Sequence, residues 1–239
     1  MSDGLVIIPT YNEIENIETV IRAVFSLSTP FDVLVVDDNS PDGTAVRVRE
    51  LQEEYPALHL EVRKGKSGLG TAYVHGFKWA IARKYEYIFE MDADFSHNPA
   101  DLEHLYAACH KGADMAIGSR YVTGVNVVNW PLNRVLMSYY ASSYVRMVTG
   151  MVIRDATAGF VCYKRKVLES INLDRIKFIG YAFQIEMKYR TYANGFNIVE
   201  VPIIFTDRTK GESKMSSAIF KEAIFGVIRL RWKKMLNRL

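Results

Sequence analysis

From residue 5 to residue 119, short apolar runs alternate with longer stretches in which apolar side chains recur every three or four positions. The runs at 5–8, 32–36, 58–62, 87–91 and 114–117 have strand length and strand composition. The stretches between them, 15–26, 44–54, 71–84 and 99–111, carry the helical period. This alternation predicts an α/β fold, a Rossmann-like, mostly parallel sheet with helices on both faces. Such sheets bind ligands beyond the C-terminal ends of their strands, near the point where strand order reverses. Polar or glycine-rich segments follow four consecutive strands: Pro9-Thr10-Tyr11-Asn12-Glu13, Asp37-Asp38-Asn39-Ser40, the stretch 65–70, and Asp92-Ala93-Asp94.

After residue 119 the alternation breaks. An aromatic-rich helix is expected at 132–148, a short strand at 160–163, a helix at 183–192 and a strand at 197–204. A charged, glycine-containing loop at 207–213 precedes a last helix beginning near 216. Neither a repeat nor a linker divides the 239 residues, which predicts one domain.

Charged residues make up 24% and apolar residues 49% of the chain, which suits a folded core and excludes a disordered chain. The net charge of +3 is too small to argue for nucleic acid as a partner. Cys109 and Cys162 show no CxxC spacing, and the five histidines show no zinc pattern. This usage fits a reducing, cytoplasmic compartment. No basic leader with an apolar core precedes the first strand, and no run of about 18 uncharged apolar residues occurs. Membrane contact, where it exists, is expected to be peripheral.

Asp92-Ala93-Asp94 at a strand end can converge two carboxylates on a hard divalent cation; alternatively, Asp94 opens a turn and Asp92 caps the next segment. Asp37 and Asp38 have the same two readings, as hydrogen-bonding groups for a base or ribose or as turn and cap residues. The run Gly65-Lys66-Ser67-Gly68-Leu69-Gly70 matches neither the dinucleotide fingerprint nor a P-loop. Arg120, Arg134, Arg208 and Lys214 are either ordinary surface charges or, taken together, a cationic complement for phosphates. His97, just past the acidic triplet, reads better as a loop histidine than as a base.

Six segments in order, Pro9 to Glu13, Val36 to Thr44, Gly68-Leu69-Gly70-Thr71-Ala72, Asp92-Ala93-Asp94, Gly118-Ser119-Arg120-Tyr121, and Asp207-Arg208 through Ser213-Lys214-Met215, resemble the dolichyl-phosphate (polyprenyl-phosphate) mannose synthases. These are inverting family 2 glycosyltransferases of GT-A fold. The resemblance implies a nucleotide-sugar-binding half at 1–119, an acceptor-binding half at 120–215 and an amphipathic helix at 216–239. It places Pro9, Tyr11, Glu13, Asp37, Asp38 and Gly68 around the nucleotide of GDP-mannose. Asp92, Ala93 and Asp94 become the DxD segment that binds Mg2+ or Mn2+, with Asp94 nearest the diphosphate. Where the family often carries Gln, this chain has Ser96, whose hydroxyl or a water would complete the metal's ligands. Arg120, Arg134 and Ser138 match positions that hold the phosphate of a polyprenyl monophosphate, and Arg208 and Lys214 match positions near the donor phosphates. A glucosyl analogue using UDP-glucose, or an inactive nucleotide-sugar-binding or peripheral-membrane module, are the other readings.

The implied acceptor resides in a membrane. The last helix carries Phe220, Ile224, Val227, Ile228, Trp232 and Met235 beside Lys221, Arg229, Arg231, Lys233, Lys234 and Arg238, a basic amphipathic pattern. Val127, Val128, Trp130, Leu132, Leu136, Tyr139 and Tyr140 form a second apolar group. Together they predict peripheral attachment to the cytoplasmic face of a membrane, with or without a separate anchoring protein.

Overall fold

The structure, a computed structural model, describes residues 2–178, 180, 182–207, 226–232, 234 and 235. Four strand-helix units open the chain. They are β1 (Gly4–Thr10) with α1 (Ile17–Phe25), β2 (Asp32–Asp37) with α2 (Thr44–Glu54), β3 (Leu58–Val62) with α3 (Leu69–Ala82), and β4 (Tyr87–Glu90) with α4 (Asp101–His110). Then follow β5 (Met115–Ser119), β6 (Val127–Val128), α5 (Leu132–Thr149), β7 (Val161–Lys164), α6 (Arg165–Ser170), α7 (Ala182–Ala193), β8 (Ile198–Pro202) and β9 (Phe205–Thr206). Residues 226–232, 234 and 235 are helical and are called α8.

Alternate side chains of one strand enter different layers, because successive Cβ atoms point to opposite faces. Leu5 and Ile7 of β1, with Leu34 and Val36 of β2, pack with Tyr73 and Phe77 of α3 and Phe183 and Met187 of α7. Val6, Ile8, Val33 and Val35 turn the other way, onto Val20 and Ile21 of α1, Val48 of α2 and Leu102 and Leu105 of α4. Burial on both faces explains why β2 and β4 are buried at every position. Helix α3 comes close to the sheet at Gly76, where an added Cβ would lie 2.8 Å from Cγ2 of Ile7.

The sheet order is β3-β2-β1-β4-β7-β5-β8, and all pairings are parallel except those of β7, which runs antiparallel to β4 and β5. Strand order reverses between β1 and β4. The C-terminal ends of these strands deliver Thr10 and the acidic triplet to one crevice, as the alternation predicts. A separate parallel pair, β6 with β9, stands beside this rim. The expected strand at 197–204 is β8; β9 lies just beyond it and pairs with β6 instead of joining the main sheet. Helix α6 and a 3-10 turn at Leu173–Arg175 were not expected from the pattern, because both are too short to show a period.

Candidate active site

The strand ends on the nucleotide side are laced together by polar contacts. Asp37, wholly buried, accepts from Thr10 Oγ1 at 2.8 Å, from the Ser40 amide at 2.9 Å and from Ser40 Oγ at 2.6 Å. It braces β1 against β2. Asp38 accepts from Arg63 Nε at 2.6 Å and from the Ser67 amide at 3.2 Å, which ties the end of β2 to the loop before α3. Gly68 precedes α3 at φ +96°, a conformation that suits glycine. Tyr11 and Pro9 are partly exposed at the end of β1, with Lys66 4.6 Å from the Tyr11 ring centroid. Glu13 receives Asn16 Nδ2 on its carboxylate, and its amide donates to Thr44 Oγ1 at 3.1 Å.

Beyond β4 the chain turns sharply through Phe95 at φ +58°. This turn sets Asp92 and Asp94 on a cavity of about 390 Å³ that is also lined by Ser96, His97, Arg120, Arg134 and Ser138. Tyr73 donates its hydroxyl to Asp92 Oδ1 at 3.2 Å. Asp94 Oδ1 accepts from the Ser96 amide at 3.1 Å and from Ser96 Oγ at 2.5 Å. Both carboxylates are thus aimed by neighbours, as ligating carboxylates commonly are. Ser96 is almost inaccessible and spends its hydroxyl on Asp94. Two anchored carboxylates suit a hard cation such as Mg2+ or Mn2+, and such ions complete their shell with water and phosphate oxygens. Among the described residues no group of three or more His, Cys, Asp and Glu is placed to hold a metal ion.

Arg120, at the start of the loop after β5, is clamped by Asp155. Its Nε donates to Oδ2 at 2.7 Å, its Nη2 to Oδ1 at 2.6 Å and its amide to Oδ2 at 3.0 Å. Burial opposes a charge on Asp155, but the guanidinium and its N–H groups overcome this and hold the carboxyl below its usual range. Glu200 in turn accepts from the Asp155 amide at 2.9 Å and from Ser119 Oγ at 2.8 Å. Arg134, near the start of α5, donates to Asp207 Oδ2 at 2.8 Å, just past β9. His97 stacks on Phe160 at 4.9 Å, and burial pushes its pKa down to about 4. At neutral pH it is uncharged and adds no cation to the cavity. Beneath the floor lie Glu90 and Lys188, both fully buried and bridged by Gln184. Burial raises the first and lowers the second.

The structure therefore gathers Asp92, Asp94, Ser96, Arg120, Arg134 and Ser138 on one cavity, and it keeps Pro9, Tyr11, Glu13, Asp37, Asp38 and Gly68 on the neighbouring strand ends. Arg208, Lys214 and most of the last helix lie outside the described residues. Sequence reasoning missed Asp155, Arg63 and Glu200. Asp155 lies 35 residues from Arg120 in a segment without periodic signal, so only the antiparallel return of β7 shows their pairing.

The family model for glycosyl transferase family 2 matches residues 5–171. The chain is 47% identical over 235 residues to a polyprenol monophosphomannose synthase of Mycolicibacterium smegmatis, covering 98% of this chain and 89% of that protein. It is 45% identical to an undecaprenyl-phosphate mannosyltransferase of Micrococcus luteus, covering 98% of each. A mannosyltransferase of Pyrobaculum calidifontis, solved with GDP-Man and Mn2+, shares the fold at a TM-score of 0.60 and 18% identity, covering 99% of this chain and 72% of that one. With a DxD carboxylate pair at the sheet's reversal point, two arginines lining the same cavity and these relatives over 98% of its length, the chain belongs to glycosyl transferase family 2 and is a glycosyltransferase.

Proposed function

We propose that the protein transfers mannose from GDP-mannose to a polyprenyl monophosphate, with inversion at the anomeric carbon, giving polyprenyl-phosphate β-mannose and GDP. The observation that carries this reading is the shared cavity, which Asp92, Asp94, Arg120 and Arg134 all line. Full-length relatives named for mannose transfer to polyprenyl phosphates support it. The reaction must bring two phosphoryl anions together across a hexose. A phosphate monoester has a second pKa of about 6, so the acceptor oxygen is already ionised near neutrality and needs no strong base. Uncharged, buried His97 is consistent with that.

Asp92 and Asp94 would hold Mg2+ or Mn2+, which when bound stabilises the charge growing on the departing diphosphate. Arg120, Arg134 and Ser138 take the acceptor phosphate, the guanidinium forks matching its oxygens. Asp94 lies on the diphosphate side. Pro9, Tyr11, Glu13 and Gly68 border the nucleotide; Asp37 and Asp38 act there by setting the shape of the strand ends. Arg208 and Lys214 are assigned to the donor phosphates.

The lipid reaches the cavity from a membrane surface. Helix α5 buries only Ser142, Val145 and Thr149, and it exposes Leu132, Leu136, Met137, Tyr140 and Met147. In α8, Val227 and Leu230 join the core, and Ile228, Trp232 and Met235 face outward. No helix among the described residues is long and apolar enough to cross a membrane. An interfacial surface on α5 and α8 fits these observations; we assign it to the cytoplasmic face. Residues 1–239 form one catalytic unit in this reading.

The test is transfer of radiolabelled sugar to a polyprenyl monophosphate from GDP-mannose or UDP-glucose, with and without EDTA. Metal-dependent mannose transfer is expected. Exclusive glucose transfer, or nucleotide-sugar binding with no transfer, would overturn the reading.

A further inference from the structure

We propose that Trp130 is a positioning residue of the acceptor-phosphate pocket, holding Arg120 and Arg134 as two separate arms and offering its indole N–H as an additional donor. The inference rests on the reading that these arginines take the lipid phosphate.

Two guanidinium groups that share a ligand repel each other, and an aromatic ring that attracts both offsets the repulsion. The Trp130 ring does this. The Arg134 guanidinium carbon lies 4.2 Å from its centroid and that of Arg120 lies 5.4 Å away. Both distances are within the range at which a cation is drawn to an indole face. Phe205 of β9 meets the ring edge-on at 5.2 Å and lies 5.5 Å from Arg120, so the indole is braced from the side. Each arginine also has its own carboxylate, Asp155 for Arg120 and Asp207 for Arg134.

The second observation concerns the indole nitrogen. Trp130 lines the cavity, yet its Nε1 is buried and has no hydrogen-bond partner among the described residues. A buried tryptophan N–H normally finds an acceptor. Close to two arginines, the fitting acceptor is a phosphate oxygen.

The experiment measures KM separately for GDP-mannose and for a short-chain polyprenyl monophosphate dispersed in detergent, in Trp130→Leu, Trp130→Phe and Arg134→Ala enzymes. Trp130→Leu should raise the acceptor KM about tenfold, equivalent to about 1.4 kcal/mol, with the donor KM within about twofold. Trp130→Phe keeps a ring but lacks the N–H, and it should fall between Leu and the wild type. Equal increases for both substrates would mean a merely structural residue and overturn the inference, as would an unchanged acceptor KM. Should the Leu variant not fold, the Phe variant decides: a wild-type acceptor KM sinks the proposal. If Arg134→Ala raises the acceptor KM and Trp130→Leu does not, only the Trp130 inference fails; if Arg134→Ala has no effect, the underlying reading of the arginines fails.

Discussion

A guanidinium buried as deeply as that of Arg120 stays charged and oriented because Asp155 meets it with both carboxylate oxygens. Removing one member of such a pair leaves the other charge uncompensated, which costs about 3–5 kcal/mol. Asp155→Asn should therefore lower unfolding free energy by that order in chemical denaturation, and it should weaken acceptor use in the same protein. Asp94 is a different case, since it lines the cavity and accepts from Ser96. Asp94→Ala should lose at least about a hundredfold in turnover, the scale of losing a key electrostatic stabiliser. Its thermal midpoint should barely move, and an active Asp94→Ala enzyme would contradict the metal role. At this scale much was legible in the sequence: the acidic triplet and the cations stand out by residue type. The partners were not, because a hydrogen bond from Arg63 to Asp38, or from Arg120 to Asp155, spans 25 or 35 positions and leaves no local pattern.

Helix α3 shows what an element needs besides its period. It lies against β1 through Gly76, and a methyl group there would press on Ile7 at 2.8 and 2.9 Å. Overpacking of this kind costs about 1–3 kcal/mol, so Gly76→Ala should be destabilised by that amount although alanine is the better helix former. A denaturation curve checks it. Helix α5 presents the opposite situation, with few buried positions along 18 residues. Leu132 and Met147 are 72% and 77% exposed and do not line the cavity. Replacing both by Ser should weaken sedimentation with anionic lipid vesicles and leave turnover on a detergent-dispersed acceptor unchanged; vesicle binding at the wild-type level would exclude α5 from the membrane surface. The early strands and helices were readable from periodicity. Helix α6 and the β6–β9 pair were not, because elements of six and two residues are settled by what they pack against.

For the whole molecule, the sheet's order decides what meets what. Reversal between β1 and β4 opens the crevice, and the antiparallel insertion of β7 between β4 and β5 carries Asp155 towards Arg120. Because Tyr73 and Ser96 already aim the two carboxylates, the fold does not depend on a cation to close. EDTA should abolish transfer, and added Mn2+ or Mg2+ should restore it, with no change in the thermal midpoint beyond that expected from ligand binding itself. A collapse of the folded state in EDTA would instead make the metal structural. The amino-acid sequence alone determined the α/β class, the strand-end positions of the acidic triplet and the glycine-rich loop, and the types of charge available, since these follow from local periodicity and residue chemistry. Only the tertiary structure decided which charges share a cavity, which are clamped by carboxylates, and that Trp130 lies close to two arginines. Those relations join residues far apart in the chain, and their energies exist only once the sheet has been assembled and water excluded.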